Sequence, residues 1–324
     1  MNYAHFSRVL GACAVTVMLF LGANPVTAQT DPNVIRVGAS TDDGVRPLLY
    51  AQQAGLFKKA GLNVEIIKLN NGAAVAAAVA GGSADIGKGS TLTAVLAHAK
   101  GLPFTTIANL ANFSNDAPDT VMLVRGDTSI KNAKDLVGKT IGVIGLQDFN
   151  TLTVYAWLEQ NGVDLNSLKF IEVPNAAAPA ALEQGRIDAT MAMEPMYSSA
   201  MAAKKFRVIG APWSALGKRF SDVVLYANES WVASHRDAVA KFNRAIKDAA
   251  AYVAAHEDET KPLIAQFAGF DPAVLQNFHP PVRALSLDPA DLQPTIDAAA
   301  KFKLIAKAFP AKDMICDCAI AASR

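Results

Sequence analysis

The chain has 324 residues, 51% of them hydrophobic and 18% charged, and its 30 Lys and Arg against 29 Asp and Glu leave a formal net charge of +1. So high an apolar fraction with so few charges excludes an intrinsically disordered chain, and the length suits about two domains. The near balance of charge excludes an electrostatic surface for nucleic acid.

In chain order, residues 1–28 read as a secretory signal peptide. Arg8 supplies the basic start, Val9 to Ala23 the apolar run, and Val26-Thr27-Ala28 the small residues before a cleavage site. The run is too short to span a bilayer comfortably, and Pro25 ends any longer helix. A lipidated Cys13 does not fit, because most of the run follows it. Export to the periplasm is therefore expected, and removal of Arg8 leaves a formally neutral chain. Of the 3 Cys only Cys316 and Cys318 then remain, at a spacing awkward for an ordinary disulfide and without a neighbouring His for zinc. In an oxidising compartment a structural or intermolecular pairing is expected.

Val34 to Gly38 is β-like, helical spacing runs from Pro47 through Gly61, and Val64 to Ile67 is a second strand. A small-residue helix, Ala73 to Ala80, stops at Gly81-Gly82, and Ala84-Asp85-Ile86-Gly87 opens a third strand. The same order returns later: strand Thr140 to Ile144, helix Thr151 to Asn161, strand Lys169 to Val173, helix Pro179 to Gln184, then Ile187 to Thr190. Aligning Asp85 with Asp188 also aligns Gly82 with Gly185 and Val79 with Leu182, a shared Val/Leu-x-x-Gly-x-x-Asp pattern. Alternating strands and helices predict an α/β fold of two doubly wound lobes with parallel sheets. Thr120 to Val124 is expected to carry the chain across and Val223 to Tyr226 to bring it back, a two-strand hinge. One lobe then comprises residues 29–118 with 226–324, and the other residues 119–225. Helices His235 to Ala255, Lys261 to Phe267 and Leu292 to Phe309 are expected to pack back on the first lobe.

Ligands of such sheets bind beyond the carboxyl ends of the strands. The loops that satisfy this are Ser40-Thr41-Asp42-Asp43, Lys88-Gly89-Ser90-Thr91, Gln147-Asp148-Phe149-Asn150 and Glu194-Pro195-Met196-Tyr197. Main-chain N–H groups where Ser40 to Arg46 and Gly89 to Thr91 lead into helices suit an anion, with hydroxyls from Ser90 and Thr91; plain helix capping is the alternative role for both. Gln147, Asp148 and Asn150 offer polar contacts, Phe149 a flat surface, and Glu194 a carboxylate; Tyr197 suits the cleft or the core.

The chain resembles the nitrate, sulfonate and taurine substrate-binding proteins of ABC importers, the group that includes the thiamine-pyrimidine-precursor (NMT1/THI5-like) proteins. The resemblance rests on Ile35-Arg36-Val37-Gly38, on Pro47 to Glu65, which includes Gly55-Leu56-Phe57-Lys58-Lys59-Ala60-Gly61, and on Gly82 to Gly87. Lys134 to Val143, Gly185-Arg186-Ile187-Asp188-Ala189 and Glu194-Pro195 continue it. It implies a type II periplasmic-binding-protein fold closing on a small-molecule ligand for delivery to an ABC importer permease; a monomer without cofactor or metal is expected. It does not imply one substrate.

The expected solute is a sulfonate- or taurine-like anion, or an amine-bearing or pyrimidine-like compound; the candidate loops hold Asp42, Asp43, Asp148 and Glu194 against Lys88 and Arg46, so if two of those acids face the pocket, a ligand with an amine or ring N–H, such as an amino-sulfonate or a pyrimidine, fits better than a simple anion. Enzyme signatures mostly fail. Gly82 to Lys88 nearly copies a phosphate-binding loop, but Gly89 stands where a hydroxyl is needed and the segment enters a strand. His98, His235, His256 and His279 are isolated in sequence, and no His-Glu-x-x-His or Gly-x-Ser-x-Gly occurs. No enzymatic activity is expected; the alternatives are a pyrimidine-forming synthase of the same fold, whose Cys-rich motif is not found, and a ligand-sensing partner of a membrane receptor.

Overall fold

The computed structural model describes residues 33–115, 120–174, 177–194, 196–269, 271, 275, 280–284 and 286–322. The segment read as a signal peptide, Pro195 and His279 lie outside the described residues. The first unit runs β1 (Val34–Ala39), α1 (Arg46–Gln53), α2 (Leu56–Lys59), β2 (Asn63–Lys68), α3 (Gly72–Ala80), β3 (Ile86–Ser90), α4 (Thr91–Ala99) and β4 (Phe104–Ser114). The second runs β5 (Thr120–Arg125), β6 (Thr140–Val143), α5 (Phe149–Gln160), β7 (Lys169–Glu172), α6 (Ala178–Glu183), β8 (Ala189–Met193), α7 (Met196–Ala202) and β9 (Phe206–Gly210). The chain then continues through β10 (Arg219–Asn228), α8 (Glu229–Ser234), α9 (Arg236–Ala255), α10 (Glu257–Ala268), β11 (Val282–Arg283), α11 (Pro289–Lys301) and α12 (Asp317–Ala322).

The strands form two sheets, ordered β11-β4-β10-β3-β1-β2 and β7-β6-β8-β5-β9. Each contains a parallel trio, β2-β1-β3 and β7-β6-β8. Beside each trio lies an antiparallel strand, β10 against β3 and β5 against β8. Both sheets are therefore mixed, which corrects the expectation of parallel ones. The reason is connectivity: a parallel neighbour needs a crossover of about a dozen residues, usually a helix. β5 and β10 are instead the strands on which the chain arrives in the second sheet and returns to the first, so no crossover helix precedes them.

The sequence repeat has a common structural cause. Gly82 and Gly185 take φ of +73° and +68°, left-handed conformations that glycine adopts without a Cβ penalty, and each ends the helix before the third strand. Three residues on, Asp85 accepts the Arg36 N–H at 2.7 Å and Asp188 accepts the Thr140 N–H at 2.8 Å. Each carboxylate thus fixes the start of the neighbouring parallel strand, at the end of the sheet opposite the cavity described below.

Several elements differ from the sequence reading. The helix over Pro47 to Gly61 divides at Gly55, whose φ of +69° no helix interior accommodates. α11 ends at Lys301 and not near Phe309, because Lys303 turns left-handed at φ +60°. β4 was not anticipated, since Asn and Ala interrupt its apolar run; its buried Asn109 and Asn112 hydrogen-bond each other at 2.8 Å. Cys316 and Cys318 are joined to one another, with Cα atoms 5.2 Å apart.

α9 covers α1 and α2. Its Phe242 stacks on Phe57 at 5.1 Å and its Tyr252 on Tyr50 at 4.3 Å, each pair worth about 1 kcal/mol beyond the area it buries. Between the sheets, Trp213 from the β9–β10 link meets Phe149 of α5 at 5.1 Å, Phe113 of β4 at 5.7 Å and Phe220 of β10 at 6.0 Å. Phe149 and Trp213 of this cluster form a wall of the cavity described below.

Candidate functional site

A cavity of about 250 Å³ opens where the carboxyl ends of β1, β3 and β8 and the N-terminus of α5 approach one another. On the first-sheet side, the Asp42 carboxylate accepts the Gly44 N–H at 3.1 Å and the Ser40 hydroxyl at 2.8 Å. Lys88, 1% exposed, donates to Ser40 Oγ at 3.2 Å and pairs with Asp42. Asn71 caps α3 by accepting the Ala74 N–H at 2.9 Å, and Ser90 caps α4 by accepting the Thr93 N–H at 3.3 Å. Both caps, with Gly72 and Thr93, line the cavity.

Asp43 also lines the cavity, but its carboxylate is engaged from behind. Arg46 donates to both of its oxygens at 2.9 Å, and Arg283 of β11 pairs with it as well. Burial alone would raise this carboxyl, but the Arg283 and Arg46 guanidinium groups outweigh it and hold Asp43 below its ordinary value. Glu257 of α10 pairs with both guanidinium groups, so the cluster holds two positive and two negative charges.

Across the cavity, Asp148 caps α5, accepting the Asn150 N–H at 2.9 Å. Burial raises its carboxyl, and the N–H bonds from Asn150 only partly offset that. Asn150 Oδ1 accepts Trp213 Nε1–H at 3.1 Å, which orients the amide against the aromatic wall. Glu194, just past β8, accepts the Ser198 hydroxyl at 2.8 Å. Asp222 and Val223 of β10 complete the lining with Met193, Gly44 and Pro281.

Of the fourteen residues singled out in the sequence, the structure brings Ser40, Asp42, Asp43, Lys88, Ser90, Asp148, Phe149, Asn150 and Glu194 together around this cavity. Gln147 is exposed and lines a second, larger opening beside it. Thr41 is partly buried outside both. Gly89 lies under the Tyr226 ring, where a Cβ would come within 3.2 Å of it. Thr91 is wholly buried, hydrogen-bonded to Ser221 Oγ at 3.0 Å, and Tyr197 packs on the second sheet's outer core. Arg46, counted in the sequence among the cations of the loops, stands behind Asp43 and not at the cavity surface.

The profile of the family described as NMT1/THI5 like matches residues 44–260, which include most of the cavity lining. The chain belongs to the NMT1/THI5-like family. Among curated relatives, a 4-amino-5-hydroxymethyl-2-methylpyrimidine phosphate synthase of Saccharomyces cerevisiae, THI13, is 28% identical over 223 residues, 64% of this chain and 63% of the yeast protein. The chain thus spans less than two thirds of that relative's length. Among solved structures, the periplasmic aliphatic sulphonate binding protein SsuA of Escherichia coli superposes with a TM-score of 0.75 at 19% identity, covering 89% of this chain and 93% of that one. The alkanesulfonate-binding protein SsuA of Xanthomonas axonopodis pv. citri, bound to MOPS, gives 0.72 at 18% identity, covering 88% and 99%. At these identities the likeness establishes the two-lobed periplasmic-binding-protein fold.

In this NMT1/THI5-like chain the lining residues that sequence reasoning missed are Asn71, Gly72, Thr93, Met193, Trp213, Asp222, Val223 and Pro281. Asn71 carried a usable signal, an Asn directly before a small-residue helix. Trp213 and Asp222 carried none, because they reach the cavity from the return crossing and not from the tip of a parallel strand.

Proposed function

We propose that the protein is an exported solute-binding protein that holds a small amine-bearing organic solute between its lobes and delivers it to an ABC importer. The observation that carries this reading is the charge of the lining. Asp42, Asp43, Asp148, Glu194 and Asp222 face the cavity, while Lys88 is the one side-chain cation among the described lining residues. Lys88 pairs with Asp42 and the arginines behind the cavity pair with Asp43, while Asp148, Glu194 and Asp222 add carboxylate oxygens that can accept from an ammonium or ring N–H. Phe149 and Trp213 give that group a flat apolar wall. Export through residues 1–28 is supported by the sequence pattern, and transfer to a permease by a fold shared with periplasmic binding proteins.

A simple anion has its own supporting observation, since the N-termini of α3 and α4, with their partial positive charge, open on the same cavity beside Lys88. A thermal-shift panel of primary amines, aminopyrimidines, taurine, alkylsulfonates and nitrate separates the two. A solute at a hundredfold excess over its Kd adds about 2.7 kcal/mol, or about 4 °C for a chain this size. Amines and aminopyrimidines that leave the midpoint unmoved while simple sulfonates raise it would overturn the amine reading. Conversion of any panel compound, followed by chromatography, would favour the synthase activity of the yeast relatives over capture.

A further inference from the structure

Beside the inner cavity lies an opening of about 780 Å³, and we infer that it is an apolar annex that takes the hydrocarbon or aromatic tail of the same solute. This rests on the amine reading only for the chemistry of the head group; the annex stands on its own observations. The two spaces adjoin, since Asn71, Gly72, Thr93 and Asp148 line both. Beyond that boundary the lining changes character. Ala73, Ala76 and Leu96 face it from α3 and α4, with Leu102 beyond α4, and Ile144 and Leu146 face it from the loop after β6.

Leu102, Ile144 and Leu146 are 36%, 43% and 46% exposed, and they make up half of the large exposed hydrophobic side chains among the described residues, the others being Val137, Met201 and Val282. Their convergence from both lobes on one opening is not the scatter of single apolar residues found on most surfaces. The loop that carries two of them is pinned. Glu172 Oε1 accepts the Leu146 N–H at 3.0 Å, and Gly145 O accepts the Thr151 hydroxyl at 2.7 Å. Ile144 and Leu146 are thereby held facing the opening. Lys100 and Glu172, opposite in sign, are its charged residues besides Asp148, so beyond the boundary the annex has no net charge to offer an ion. The solute implied is amphipathic, a polar head inside and an uncharged tail outside.

Calorimetric titration of the purified protein with n-alkylamines from ethyl to octyl, and with the matching n-alkylsulfonates, tests this. Affinity should rise about twofold to fourfold with each added methylene, the increment for burying a CH₂. The double variant Ile144→Ser/Leu146→Ser should flatten that rise while leaving ethylamine affinity within about twofold of the parent, because neither residue touches the inner cavity. A rise confined to the sulfonates supports the annex and overturns the amine head. Amines that bind without any dependence on chain length overturn the annex alone. A rise that survives in the double variant, or octyl chains that fail to bind in both series, also overturns it.

Discussion

Replacing Arg283 by Met removes one of two guanidinium groups from the cluster behind the cavity. Arg283 is 1% exposed at its side chain and Asp43 9%, so the charge left behind is largely out of water. The parent cluster pairs Arg46 and Arg283 with Asp43 and Glu257; the variant leaves a single guanidinium for two carboxylates. Removing one partner of a buried pair costs about 3–5 kcal/mol. The low end applies here, because Glu257 keeps 24% side-chain exposure and Arg46 still reaches both carboxylates. About 3 kcal/mol corresponds to a fall in Tm of about 5 °C by scanning calorimetry. The double variant Asp43→Asn/Arg283→Met restores one cation to one anion and should recover at least about 1 kcal/mol relative to Arg283→Met. Acid sensitivity follows with a defined sign. Asp43 titrates below its ordinary 3.8 in the fold, so its share of stability is fully present above that value and is lost as pH falls through the lowered one. In Arg283→Met that loss should shrink. A Tm change under about 2 °C in the single variant, or a double variant less stable than the single, would refute the reasoning.

Lys88→Met, at a side chain 1% exposed, makes the cavity one charge more negative; amine affinity should rise and sulfonate affinity fall, each on the order of threefold to tenfold by titration. Because burial raises the Asp148 carboxyl, amine affinity should begin to fall at a higher pH than an ordinary carboxylate at 3.8 would set, and Asp148→Asn should remove that step; parent and variant curves that overlay between pH 8 and 4 contradict it. Gly87→Ala brings a Cβ to 2.7 Å from the Tyr226 ring in the middle of the first sheet, a case of overpacking worth about 1–3 kcal/mol, visible as a loss of several degrees in Tm and partly recovered by Tyr226→Leu.

The parallel trios were legible because their signals are local. Strands of four to six residues, small-residue or amphipathic helices, and a glycine before Asp85 and Asp188 follow one another along the chain, and the two aspartates each correspond to an observed contact. Strand direction was not legible for β5 and β10, since Thr-Val-Met-Leu-Val and Val-Val-Leu-Tyr read as buried strands whichever way they run. The nine cavity residues on the tips of β1, β3 and β8 and at the start of α5 could be located from the rule that ligands lie beyond strand ends. Thr91 shows the limit of that rule: one residue past Ser90, its side chain turns back to Ser221. Arg283 lies 240 residues from Asp43, and nothing in the sequence near either one announces the pairing that neutralises an acid counted as free in the loop.

The most direct measurement uses Trp213, which forms part of the cavity wall, as the reporter. The chain has 3 Trp, and replacing Trp157 and Trp231 by Phe leaves Trp213 alone. Titrating that variant with amine-bearing solutes should give a saturable change in its emission, weakened at least tenfold when Glu194→Gln and Asp222→Asn are added. Saturation by sulfonates alone, or an amine response indifferent to those two carboxylates, would contradict the account.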